Sequence, residues 1–321
     1  MNPRTGSTPV RTGRPDNAPA PDHVGVHEHT GVHDHTGVHD HTGPAAVRML
    51  LGSRLRKFRQ DAGLTRQEAA EAIRASESKI CRMELGRTGA KQRDVGDLLD
   101  LYRVGEDERA TLLAMARQAS TPGWWQVYSD AIPAWFGPYL GLEQAAGIIR
   151  GYEVQFIPGL LQTPDYARAV IEVGAADNPE LDVEQLVGLR IGRQRILRKP
   201  RPARLWVVID EAALRRPVGG ARVAAAQLEH LVEMSRLGHV NIQVAPLNAG
   251  GRAVADGPVT MLRFAESDLD DMVYLEGHGT AAYLSKPGER MYYWNVLNRL
   301  ATEACPPADT EAILRAILRD I

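Results

Sequence analysis

Leu51–Arg87 reads LGSRLRKFRQDAGLTRQEAAEAIRASESKICRMELGR, and the fold turns on it. Leu51, Leu55 and Phe58 recur at helical spacing and give one apolar face. Gly63 stands where a left-handed residue closes a helix. Thr65 is placed to cap a second helix over Arg66–Arg74, with Glu68 three residues on completing a capping box and Ala69, Ala70 and Ile73 facing inward. Ser76 is placed to cap a third helix over Glu77–Leu85, which turns Ile80 and Met83 inward and stops at Gly86. Beyond it, Val95, Leu98, Leu99 and Tyr102 form the stripe of a fourth helix. A fifth runs from about Glu106 to about Gln118, with acids at its positive end. Residues 44–120 therefore read as an all-α bundle of five short helices.

A helix that reads DNA lays its first residues against base edges in the major groove while the helix before it braces on the phosphates. The second and third helices have the lengths and the small inward residues for such a pair. The outward face of the third then carries Glu77, Ser78, Lys79 and Arg82. Charge agrees in sign: residues 44–120 hold 15 Lys and Arg against 11 Asp and Glu, whereas the whole chain has 38 against 40. A local excess of cations favours a polyanionic partner.

The same residues resemble the Cro and phage-repressor-like, or XRE-type, helix-turn-helix domain: the leucine-rich first helix, then GLT, an alanine on the second helix, and the Ile80, Glu84 and Gly86 spacing at the end of the third. The resemblance covers about residues 50–104. It implies that Ser76, Glu77, Ser78 and Arg82 read bases, that Arg66, Gln67 and Lys79 touch phosphates or the groove edge, and that Lys91, Arg93 and Arg87 add phosphate contacts. It also implies that Arg59 and Glu84 join the first helix to the third as a structural ion pair. The sequence departs from the family pattern at Arg66, usually Gln, at Cys81, usually Ser or Thr, and at Leu85, commonly polar. These departures bear on the operator sequence more than on the fold.

Residues 1–43 hold seven of the ten histidines, six of them in a six-residue repeat, HEHTGV, HDHTGV, HDHTG, and no Phe, Trp or Tyr. Such a composition buries no core and reads as a disordered tail. His at i and i+2 with an acid between would chelate a divalent ion only loosely, so no metal site is assigned. The start of the chain lacks the apolar run of a secretory signal, and no run approaches a membrane span. With only Cys81 and Cys305, a disulfide framework is excluded, and the expected compartment is the cytoplasm.

Residues 121–321 read as an α+β domain. Helical texture covers 139–151, 164–174, 182–198, 221–237, 289–304 and 308–320. Strand candidates begin at Leu205, Val240, Pro258, Asp271 and Thr280. The loops between the last strands are too short for crossover helices, which predicts a small, mainly antiparallel sheet. Six of the 18 aromatics fall within 124–139, among them Trp124, Trp125, Trp135 and Phe136. This cluster is a candidate ligand pocket or interdomain contact. Outside the tail only His230, His239 and His278 occur, without a GxSxG or HExxH motif, so no catalytic set is present and no enzyme or cofactor is expected.

GLEQAAGIIRGYE, PGLLQTPDYARAVI, LRIGRQRIL, DEAALRRPVGG and VYLEG together resemble the uncharacterised C-terminal domain of WhiJ-like, antitoxin-like actinobacterial regulators, over about residues 121–304. That resemblance implies a transcriptional regulator, with a possible small protein partner encoded nearby. The expected function is sequence-specific binding of double-stranded DNA by a homodimer, with 121–321 responding to a small molecule or a protein partner. The alternative is an antitoxin-like protein that binds a small partner, with DNA binding secondary.

Overall fold

The structure is a computed structural model that describes residues 44–86, 88–133, 135–175, 180–249, 255–265, 269–277 and 279–321. The expectations for the tail, for Arg87 and for His278 lie outside these residues. All of them belong to one compact unit, Asp40–Ile321.

The bundle comprises α1 (Pro44–Asp61), α2 (Arg66–Ala72), α3 (Glu77–Glu84), α4 (Gln92–Leu101) and α5 (Glu106–Ala119). Its core is built from Leu51 and Leu55 of α1, Ala69 and Ala70 of α2, Ile80 and Met83 of α3, Val95, Leu98 and Leu99 of α4, and Leu112 and Ala116 of α5. The sequence stripes therefore point as expected. α2 stops two residues earlier than its apolar pattern, because Arg74 takes a left-handed φ of 52°. Ala75 N–H then donates to Ala70 C=O at 2.8 Å, and Arg74 N–H to Glu71 C=O at 3.1 Å. This is the double closure of a Schellman end, which Gly63 (φ 71°) supplies for α1.

From Phe136 the chain forms α6 (Phe136–Ala145), β1 (Ile148–Glu153), α7 (Pro164–Ala175), α8 (Val183–Arg193), β2 (Arg204–Asp210), α9 (Glu211–Arg215), α10 (Ala221–Ser235) and β3 (Val240–Ala245). It continues with β4 (Val259–Arg263), β5 (Met272–Gly277), β6 (Thr280–Leu284), α11 (Pro287–Glu303) and α12 (Thr310–Asp320). Among the described residues the strands make a six-stranded sheet in the order β3-β2-β1-β4-β5-β6. The β1–β4, β4–β5 and β5–β6 pairs are antiparallel, while β1–β2 and β2–β3 are parallel.

The expectation of a small, mainly antiparallel sheet holds in part: among the described residues three of the five strand pairs are antiparallel and two are parallel, so the sheet is mixed. The parallel half escapes the sequence reading for a single reason. The apolar run through 139–151 reads as one helix, yet α6 ends at Ala145 and Ile148–Glu153 becomes the strand at the middle of the sheet. Short apolar runs do not separate a buried helix from a buried strand by periodicity. With β1 in place, α7 and α8 become the crossover to β2, and α9 with α10 the crossover to β3, as parallel pairing requires.

One face of the sheet, with Ile149, Leu205, Val207, Ile209 and Leu262, packs on α6, α7, α8, α10 and α12. The other, with Tyr152, Val208, Met261 and Val273, packs on Val296, Leu297 and Leu300 of α11. On that second face the Arg150 guanidinium lies between two indoles, 5.3 Å from the Trp206 ring and 4.8 Å from the Trp294 ring, and donates to Asn298 Oδ1 at 2.8 Å. Its charge is held by ring faces and an amide, with no carboxylate required.

Candidate nucleic-acid interface

Local chemistry sets the pose of α2 and α3. Thr65 Oγ1 accepts from Glu68 N–H at 3.2 Å, and Glu68 returns an acceptor to Thr65 N–H at 2.7 Å, completing the capping box. These bonds hold the Glu68 carboxyl below the usual range. Ser76 Oγ accepts from Lys79 N–H at 3.2 Å and starts α3. Below, Ile80 and Met83 are buried, so the opposite face of α3 must point away from the bundle. Ser76, Glu77, Ser78 and Arg82 are exposed, with the C-terminal region in place.

The remaining candidates differ in their freedom. Gln67 is exposed and donates to Glu71 Oε1 at 3.1 Å. Lys91 and Arg93 open α4 and are exposed, with Arg93 Nε 3.9 Å from Asp97 Oδ2. Lys79 is half-buried, its Nζ 2.6 Å from Asp94 Oδ2. Arg66 is half-buried with its Nε 3.1 Å from Glu84 Oε2. Both cations are therefore engaged by carboxylates within the protein.

Arg59 and Glu84 meet inside the bundle, Nε to Oε1 at 2.5 Å and Nη2 to Oε2 at 3.1 Å. Arg59 Nη1 also donates to Leu64 C=O at 2.6 Å. The hydrogen bonds to Glu84 raise the Arg59 pKa, so the guanidinium keeps its charge. Nearby, burial together with the Glu84 carboxylate pushes the Tyr102 hydroxyl up to about 12. α3 is thus tied to the C-terminal end of α1 by a two-point bond.

Two residues that sequence reasoning passed over complete the seating. Asp94 anchors Lys79. Gly52 lets α1 approach α3: a Cβ placed there lies 2.3 Å from Met83 O and 2.8 Å from Glu84 O. The signal available was a glycine inside a strongly helical run.

The model of a family described as "Domain of unknown function (DUF5753)" matches residues 136–316, more than half of the chain. The chain belongs to the DUF5753 family. A second model, described as "Helix-turn-helix domain", matches residues 50–112, the span that contains α2 and α3. No curated protein and no solved structure gives a significant match.

Within the DUF5753 domain the PGLLQT run is a polar knot. Gly159–Leu161 make a single 3-10 turn. Gln162 Nε2 donates back to Ile157 C=O at 2.7 Å, Gln194 Nε2 to Gln162 C=O at 2.6 Å, and Gln227 Nε2 to Leu161 C=O at 2.7 Å. Buried backbone carbonyls are satisfied by three buried glutamines, which fixes the turn without a sheet partner. Trp125 and Phe136 pack into this domain's core with Trp124 and Trp135. Trp124 lies edge-on to Trp125 at 6.1 Å, Phe136 stacks on Tyr139 at 5.5 Å, and Tyr139 meets Tyr274 at 4.1 Å. Met49 of α1 packs on the same core.

Among the described residues no helix is long and apolar enough to cross a membrane. Nor does any group of three or more His, Cys, Asp or Glu among them stand ready to hold a metal ion.

Proposed function

We propose that this protein is a sequence-specific DNA-binding transcriptional regulator of the Cro-like, XRE type, working in the cytoplasm. α3 enters the major groove, and the DUF5753 domain responds to a small molecule or a protein partner. The reading is of a binding protein and not of an enzyme. One observation carries it: Ser76, Glu77, Ser78 and Arg82 form an exposed surface whose underside, Ile80 and Met83, is buried.

In this reading Arg82 and Ser78 discriminate bases, Glu77 accepts from a cytosine amino group, and Lys91 with Arg93 contacts phosphates. Arg66 and Lys79 join them once their carboxylate partners yield. One such helix offers few base contacts, so a homodimer on two half-sites about one helical turn apart is required for tight binding.

Selection of duplexes from a random pool tests the reading, followed by binding measurements at fixed salt. A two-fold site with half-sites near that spacing is the expected product. Arg82→Ala should weaken the selected site by about 1–3 kcal/mol and relax one position. Failure to enrich any sequence, with binding indifferent to both Arg82→Ala and Ser78→Ala, overturns it.

A further inference from the structure

The two edges of the sheet differ. At the β3 edge the outward carbonyls are taken: Ile242 C=O accepts from Thr310 Oγ1 at 2.6 Å, and Val244 C=O from Cys305 N–H at 2.9 Å. The link from α11 to α12 thus closes that side. At the other edge β6 pairs with β5 alone. Gly277 and Thr280 face each other with two residues between them, the spacing of a hairpin whose closing pair is hydrogen-bonded. Bonded and non-bonded pairs alternate along an antiparallel ladder. Thr280, Ala282 and Leu284 therefore bond to β5, while Ala281 and Tyr283 turn their N–H and C=O outward. Among the described residues none of these four groups has a hydrogen-bond partner.

Sheets guard a free edge with charged side chains, proline or a bulge. The run TAAYL of β6 has none of the three: it carries no charge and no proline, and its register to β5 runs unbroken over five pairs. On the face that carries α11, Tyr292 lines a cavity of about 590 Å³ together with Leu275, the register partner of Ala282. Tyr292 is 55 % exposed and its neighbour Met291 60 %. Aromatic and methionine side chains are the residues enriched where proteins meet.

We propose that β6 pairs antiparallel with β6 of a second copy, so that the two sheets run on as one across a two-fold axis. An antiparallel pair of identical strands is self-complementary, which is what a closed dimer needs. Only one antiparallel register gives all four outward groups a partner inside the strand. It sets Ala281 opposite the partner's Tyr283, and Ala282 on the axis opposite the partner's Ala282. The axial pair is of the non-hydrogen-bonded kind, with Cα atoms about 4.5 Å apart, and alanine leaves room for that approach. A strand of another protein would meet the same groups, but the reading of α3 calls for two copies of this chain. The inference rests on that reading for the need and adds the surface that joins the copies.

Sedimentation of the full chain at concentrations up to about 0.1 mM tests this, with DNA binding of the same samples followed by anisotropy on duplexes carrying one or two half-sites. Expected is one chain at low concentration and two at high. Ala282→Lys puts like charges opposite each other on the axis and should weaken association at least about tenfold. Its affinity for the two-half-site duplex should fall as well, while that for a single half-site stays. Ala282 is exposed, so the variant should fold, as melting curves will show. Ala282→Cys carries the test independently, because thiols at that separation can close a disulfide. Oxidation with diamide should link two chains through position 282, read by peptide mass mapping, whereas Ala281→Cys, opposite a tyrosine, should stay unlinked. A single chain at every concentration, association that ignores Ala282→Lys, or linking at position 281 in place of 282 overturns the proposal. Association through β6 without DNA binding upholds the interface and removes the regulator reading. DNA binding by a dimer indifferent to these variants removes this interface alone.

Discussion

Lys79 of α3 is held by Asp94 of α4, Nζ to Oδ2 at 2.6 Å, across the groove between the two helices. The pair is half-exposed, so its contribution to stability is small, on the order of 0–1 kcal/mol. On the proposed function its effect on binding is larger, because it keeps engaged within the protein a cation of the surface proposed to meet DNA. Asp94→Asn releases that cation and removes a negative charge from the same surface. The expected result is tighter binding to any duplex, with the slope of log affinity against log salt steeper by about 0.9 for the phosphate gained. Measuring affinity at several salt concentrations decides it; an unchanged slope would show that Lys79 does not reach a phosphate.

Glu84 makes a different prediction, because it is buried and holds two guanidiniums, Arg59 at 2.5 Å and Arg66 at 3.1 Å. Glu84→Ala leaves Arg59 buried and uncompensated, a loss of about 3–5 kcal/mol. The double change Arg59→Leu with Glu84→Leu removes both charges and should be less destabilising than Glu84→Ala alone. Denaturant unfolding of the three proteins gives the comparison. If the single and double variants lose equal stability, the pair is not what joins α1 to α3.

The bundle was legible because each of its helices announces itself locally: the Thr65–Glu68 box, the Ser76 cap, and apolar residues at helical spacing. These signals act within one or two turns, so the sequence carries them whole. The Lys79–Asp94 and Arg66–Glu84 pairs were not legible, since they join residues 15 and 18 positions apart whose approach depends on packing. The DUF5753 domain was harder still. Of its six strands among the described residues, five show as apolar runs, but β1 lies behind a helix with no polar break between them, and the parallel half of the sheet depends on β1. Arg74 shows a further kind of limit. Its left-handed backbone ends α2, a task that sequence patterns assign to glycine or asparagine.

At Gly52 two opposing effects have known sizes. Alanine in a helix interior is favoured over glycine by about 1 kcal/mol. Here the added Cβ meets Met83 O at 2.3 Å and Glu84 O at 2.8 Å, both backbone atoms that move only with α3. Overpacking of this kind costs typically about 1–3 kcal/mol. Gly52→Ala should therefore be destabilising and should loosen α3 enough to weaken DNA binding. Gly174→Ala in α7 is the control: nothing lies within 4 Å of its Cβ, so the helix gain alone should appear. Melting temperatures that move in opposite directions for the two variants bear this out; a rise in both would contradict the close approach of α1 and α3.

Glu153 gives a prediction about pH that needs no ligand. Burial and the neighbouring Glu276 raise its carboxyl to about 8 from an ordinary value of 4.5. The unfolded chain loses this proton near its ordinary value, whereas the folded chain keeps it to about 8. Between those limits the folded state binds more protons, so stability falls as pH rises, with a slope approaching about 1.4 kcal/mol per unit from this one group. Below the ordinary value both states are protonated and the effect vanishes. Glu153→Gln removes the titration. The variant should match the parent at about pH 4 to 5 and exceed it in stability near pH 8, since a neutral amide has no charge to desolvate. Urea unfolding across that range measures the difference directly. A gap that stays constant with pH would mean that Glu153 ionises alike in the folded and unfolded chains.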